Sequence, residues 1–229
     1  MKRWTRTTSR KTWMRETSIP EREPVTLHDP DMLLLAGLGN PGSRYARHRH
    51  NVGFMAVDRI AAAHGFGAWR KRFHGEAAEG RLGGLKTLLF KPLVYMNNSG
   101  RALGEVVRFF QLPGSGIVIL YDEIDLALGK VRVKQGGGHA GHNGIRSIHA
   151  HIGADYRRVR IGVGHPGHRD LVIGHVLRDF PASERQHVDG ILDAIADAVP
   201  FLAEGADDRF QSRVALLVEP EPGDDDVRH

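Results

Sequence analysis

With 229 residues, 26% of them charged, and no cysteine, the chain is long enough to bury a substantial core but cannot carry disulfides or thiolate metal sites. Its formal charge of +5 is uneven: residues 32–218 hold 24 Lys and Arg against 17 Asp and Glu. That excess fits a polyanionic partner such as RNA without identifying one. No apolar run approaches the ~20 residues of a membrane-spanning helix, so a soluble protein of a reducing compartment is expected.

In chain order, residues 1–31 stand apart. MKRWTRTTSRKTWMR carries six basic and no acidic residues, the composition of an organellar transit peptide. A second reading stays open, because Met32 directly precedes the strand-like LLLAGLGN and would serve as a start, making residues 1–31 a non-native extension. Buried strands are expected at Met32–Ala36, Thr87–Phe90, Ile117–Tyr121 and Val159–Val163, and a half-exposed strand at Lys130–Lys134. Helical stripes fall between them: Val52, Met55, Val57 and Ile60, then Leu103, Val106, Val107 and Phe110, then Ile145, Ile148 and Ile152. A last long helix begins with Ser183 three residues before Gln186, a capping-box spacing, presents Val188, Ile191, Leu192, Ile195 and Val199 on one side, and ends near Gly205. The pattern predicts one α/β domain over 32–218, a mostly parallel (mixed) twisted sheet flanked by helices, with ligands at the carboxyl ends of the strands. The acidic tail 219–229 has little to bury and is expected to be disordered.

Five polar clusters lie beside these runs: GLGNPG, RHRHN, YMNNSG, YDEID and GGGHAGHNG. Together they supply His, Asp and Asn, a set suited to metal-free attack of water on an acyl group: a neutral imidazole takes a proton, a carboxylate orients it, and amides bind a developing oxyanion. GLGNPG also spells the dinucleotide fingerprint G-x-G-x-x-G. The polar or helix-breaking residues from Pro41 to Arg49 argue against that use, since the apolar helix starts only near Val52. The glycines are read instead as letting the backbone turn sharply so that Asn40 projects into a cleft. His139 and His142, three apart, invite a metal reading, but no further ligand-spaced partner follows and no metal or other cofactor is expected.

The five clusters, in this order, resemble the bacterial-type peptidyl-tRNA hydrolase family over about Met32 to Leu217. The resemblance implies an ester hydrolase acting on peptidyl-tRNA, with His50 as the base that activates water and Asp122 as the carboxylate that steadies it; Glu123 and Asp125 are local rivals. It implies that Asn40 positions water or discriminates the acylated amino group, and that Asn97 and Asn143 hold the peptide and the 3′-terminal parts. Tyr45, Tyr95, Met96 and His142 match substrate-contacting positions, with Tyr95 where the family often has Phe. Lys134 and Arg160 match basic residues that clamp the tRNA 5′-phosphate, with Arg157 and Arg158 as alternatives if the register slips. A cytoplasmic monomer is expected, organellar if the extension is a transit peptide. The rival of another class is a non-catalytic RNA-binding relative of the splicing-factor kind.

Overall fold

The computed structural model describes residues 32–218, so the expectations for residues 1–31 and 219–229 lie outside the described residues. Seven strands form one sheet: β1 (Leu33–Gly37), β2 (Arg70–Arg72), β3 (Gly75–Leu82), β4 (Leu85–Pro92), β5 (Ile117–Glu123), β6 (Val131–Gln135) and β7 (Arg157–Gly162). Their order across the sheet is β2-β3-β4-β1-β5-β7-β6. The central β4, β1, β5 and β7 run parallel, while β2, β3 and β6 pair antiparallel with their neighbours, so the sheet is mixed as expected. β1 and β5 are buried along their whole length, as apolar strands covered on both faces must be.

Helices cover both faces. α1 (Val52–Ala63), α5 (Ala182–Ala203) and α6 (Asp207–Leu217) enclose one core, in which Leu33, Leu35, Val57, Ile60, Leu120, Ile191, Ile195 and Phe210 meet. α2 (Ser99–Phe110) and α3 (Asn143–Ile152) cover the other, built on Leu34, Ala36, Phe90, Leu103, Val106, Ile119 and Ile145. The alternation along β1 sends Leu33 and Leu35 to one core and Leu34 and Ala36 to the other.

Several expectations need correction. The strand starts and ends shift: β1 opens at Leu33, β7 at Arg157, and β5 continues through Asp122 and Glu123. The hairpin β2–β3 was not expected, because GEAAEGRL is poor in strand-forming residues. Its glycines serve close packing instead, since a Cβ at Gly75 would lie 2.4 Å from the Lys91 carbonyl oxygen and one at Gly80 would press on the Phe66 ring. The short α4 (Val172–Val176) and α6 also went unpredicted; α6 buries only Phe210 and Val214, too sparse a stripe to read. α5 does not use the capping box. Pro181 is its N-cap and Ser183 lies inside the first turn, because proline fixes the backbone at the helix start earlier than the Ser–Gln spacing implied. The apolar face of α5 is buried as expected, and Gly205, at φ 72°, closes the chain back with its N–H on the Leu202 carbonyl.

Candidate active site

The site forms where β1 and β5 end and α1 begins. A Cβ on Gly53 would lie 2.3 Å from the Leu120 carbonyl oxygen and 2.4 Å from the Leu38 nitrogen, so glycine lets the first turn of α1 rest directly on both strand ends. Gly39 similarly accepts the Phe54 ring at a distance no side chain would allow. The glycines of GLGNPG therefore differ from expectation: Gly37 and Gly39 admit α1, and only Gly42, at φ 108°, supplies an unusual backbone turn. The close approach carries the 3-10 turn Arg49–Asn51 against β5.

His50, in that turn, places Nδ1 at 2.8 Å from Asp122 Oδ2 and 2.9 Å from Oδ1. Asp122 is 2% exposed and points from the end of β5, while its neighbour Glu123 turns to Arg160. Asp125 is exposed. Of the three candidate carboxylates, Asp122 is the one that meets His50. A carboxylate only accepts, so the His50 Nδ1 carries the proton and Nε2 is left with the lone pair. Burial alone would push the imidazole down, but the charge of Asp122 and its hydrogen bond hold it above its ordinary value. Burial would likewise raise Asp122; the facing His50 and His142 instead hold it well below the usual carboxylate range.

Asn40 sits at the turn after β1 and is bound on three sides. Its N–H donates to Asn51 Oδ1 (3.0 Å), its carbonyl accepts from Asn51 Nδ2 (2.9 Å), and its Oδ1 accepts from the Met96 N–H (2.9 Å), which leaves Nδ2 as the donor end of the side chain. Asn51 was not singled out from sequence. Its only signal was its place beside His50 at the start of a helix, where Asn reads as a cap, yet its side chain makes no cap to α1.

Met96 is buried beneath Gly144, and the exposed Tyr95 and Asn97 flank it around the 3-10 turn Met96–Asn98. This turn is held near α3 because α2 and α3 touch backbone to backbone: a Cβ on Gly100 would lie 2.1 Å from the Ser147 carbonyl oxygen, and the Gly100 N–H donates to Ser147 Oγ. Asn143 opens α3, exposed, with Oδ1 accepting from Arg146. Tyr45 lies in the turn Ser43–Tyr45, edge-on to His48 and under the Arg44 guanidinium.

His142, matched from sequence to a substrate-contacting position, faces Asp122 and His50. Its Nε2 is 3.0 Å from Asp122 Oδ1, and its ring lies 4.9 Å from that of His50. His139 turns elsewhere, toward His149, so the pair read from sequence as possible ligands does not converge. His50, Asp122 and His142 do present ligand-type atoms within 4.8 Å of one another. The hydrogen bonds direct protons onto the ring nitrogens involved, however: His142 Nδ1 accepts from the Ile145 N–H, which puts its proton on Nε2, and His50 carries one on Nδ1.

Lys134 and Arg160 stand on the ladder beside β5. Arg132 faces Arg160 and Lys134 faces Arg158, so four cations share one face of β6 and β7. Arg160 Nε is 2.9 Å from Glu123 Oε2, and the Arg158 side chain is buried against the Gly138 carbonyl. Arg157 faces away and ties β7 to Leu202 and Asp207.

The sequence model of the peptidyl-tRNA hydrolase family matches residues 34–220. The chain belongs to the peptidyl-tRNA hydrolase family. The peptidyl-tRNA hydrolase of Roseobacter denitrificans is 56% identical over 189 residues, covering 82% of this chain and 81% of that one; that of Paracoccus denitrificans is also 56% identical, covering 82% and 80%. The crystal structure of peptidyl-tRNA hydrolase from Acinetobacter baumannii superposes with a TM-score of 0.77 at 39% identity, covering 83% of this chain and 98% of that chain. Among the described residues of this peptidyl-tRNA hydrolase relative, no helix is long and apolar enough to cross a membrane.

Proposed function

We propose that the chain hydrolyses the ester between a peptide and the 3′-terminal ribose of tRNA, with His50 as general base and no metal. The observation that carries this reading is the 2.8 Å contact from His50 Nδ1 to the buried Asp122, which leaves Nε2 to take a proton from water as the water attacks the ester carbonyl. Asp122 fixes the tautomer and stabilises the imidazolium that forms. The alkoxide leaving group of an ester asks for less acid assistance than an amine, so one base suffices.

The other roles are those the family resemblance implies, and the placement of the residues supports them. Asn40, pinned through its backbone and Oδ1, offers Nδ2 to the water or to the acylated amino group. Asn97 and Asn143, exposed at the mouths of α2 and α3, hold the peptide and the terminal nucleotide, with Tyr45, Tyr95 and Met96 lining the approach. Lys134 and Arg160 grip the tRNA 5′-phosphate from the cationic face of β6 and β7. We take the working unit to be a monomer acting in the cytoplasm, and its catalytic domain to be 32–218. A purely RNA-binding role has no use for a hydrogen-bonded His–Asp pair in the cleft.

The test is hydrolysis of purified peptidyl-tRNA, with free aminoacyl-tRNA as comparison, by the parent and by His50→Ala. The variant should lose at least ~10²-fold in turnover, the scale of a missing general base, while still binding tRNA. Normal turnover in the variant removes His50 from the reaction, and activity lost to a chelator and restored by zinc replaces the metal-free reading.

A further inference from the structure

We propose that His142 is a positioning residue for the general base, holding Asp122 in place through Nε2–H rather than contacting the substrate. This rests on the hydrolytic reading above. The geometry assigns the role in two steps. His142 caps α3, its Nδ1 accepting from the Ile145 N–H at 3.2 Å, so the neutral ring must carry its proton on Nε2. That proton faces Asp122 Oδ1 at 3.0 Å. One backbone N–H at the start of α3 thus selects the tautomer that donates to the buried carboxylate.

The consequence for catalysis is electrostatic and geometric. Asp122 Oδ1 receives both rings, while Oδ2 receives His50 alone, so His142 stops the carboxylate from rotating about its own axis. It also draws off part of the negative charge that would otherwise hold the His50 imidazolium. The groups facing the two rings are few: Asp122 and Tyr121 from β5, and each imidazole itself, with Arg158 and Arg160 of β7 acting on the Tyr121 side. Tyr121 has its hydroxyl pushed up to about 12 by burial and by Glu123, so it stays neutral beside the carboxylate.

Two substitutions separate the cap from the contact. His142→Asn keeps an N-cap acceptor for Ile145 but is too short to reach Asp122. His142→Gln reaches Asp122 with an amide N–H and gives up the cap. The asparagine variant is expected to lower turnover by roughly ten- to a hundredfold, the weight of one hydrogen bond to a charged group, with KM for peptidyl-tRNA little changed. Its acid limb of kcat/KM should move to higher pH, because Asp122 then acts on His50 undivided. The glutamine variant should keep the parent's acid limb, even if α3 is less stable. NMR titration of the His50 ring without substrate should show the same shift in His142→Asn and its absence in His142→Gln, with thermal unfolding confirming that both variants fold. A raised KM with an unmoved limb and an unmoved ring titration would overturn the proposal and make His142 a substrate contact; so would identical behaviour of the two variants. If the parent itself fails to hydrolyse peptidyl-tRNA, the function falls, while the ring titration still decides the role of His142.

Discussion

Asn51 holds Asn40 by two reciprocal hydrogen bonds, its amide donating to the Asn40 carbonyl and accepting from the Asn40 N–H. The pair behaves as a side chain completing a backbone ladder, and it joins the glycine turn after β1 to the turn that carries His50. Because both residues are buried, Asn51→Ala would leave a carbonyl and an N–H without partners, a cost of about 1–3 kcal/mol for each such group. We expect a lower urea midpoint together with reduced turnover at saturating substrate. Unchanged turnover would mean that Asn40 keeps its place through Met96 alone.

The His50–Asp122 pair sets a pH dependence whose sign is fixed. Burial disfavours charged His50 and Asp122 overcomes it, so the parent's activity should rise with pH through a value above the ordinary 6.5. Asp122→Asn removes the charge and leaves burial acting, so the acid limb should move to lower pH while the plateau falls by about 10²-fold or more, the ring being less firmly held. Stability follows with opposite windows. Asp122, depressed in the folded protein, contributes stability above about pH 4 that is lost as pH falls through its folded value; His50, raised, contributes stability below about pH 6.5 that is lost as pH rises through its own. Unfolding curves collected across that range should flatten at both ends in the Asp122→Asn variant.

Arg160 is engaged by Glu123, which sets up a competition with phosphate. Lys134→Ala with Arg160→Ala should raise KM for peptidyl-tRNA and flatten its salt dependence, leaving kcat nearly as it was, since attraction shared by ground and transition states appears in KM. Glu123→Gln should do the reverse and lower KM by releasing the guanidinium. A short peptidyl-nucleotide ester lacking the tRNA body should be indifferent to all three changes. Equal losses of kcat on both substrates would instead place these residues in support of the catalytic centre.

Removing residues 1–31 should preserve fold and hydrolysis. Met32 is already buried beside the first core strand, and the family match begins at residue 34. Insoluble or inactive protein after that deletion would make the extension part of the domain.

How much of this was legible depends on which distances sequence can express. The strand before Asn40 and the strand bearing Asp122 announce themselves as apolar runs, so the meeting of polar residues at their carboxyl ends follows from α/β architecture. His50 was harder, since 14 histidines compete and only its place between a glycine turn and a helix set it apart. The Asn40–Asn51 brace and the second imidazole on Asp122 were illegible, because both depend on which atom of a side chain faces which, a matter fixed by helix placement rather than by spacing. The β2–β3 hairpin hid for a related reason: its glycines and alanines form a strand because of what packs on them, the Phe66 ring and the Lys91 backbone, and not by their own preference.

His50 and Asp122 are 72 residues apart in the chain. At roughly 5–20 residues per second, several seconds separate the synthesis of one from that of the other. Throughout that time the growing polypeptide is itself esterified to a tRNA, the very linkage that we propose the finished protein cleaves. An emerging chain with His50 outside the ribosome and β5 still unmade has no partner for the imidazole, and β5 cannot dock on β1 until the intervening hairpin and α2 are complete. The imidazole thus gains its carboxylate only once the sheet has been extended to β5.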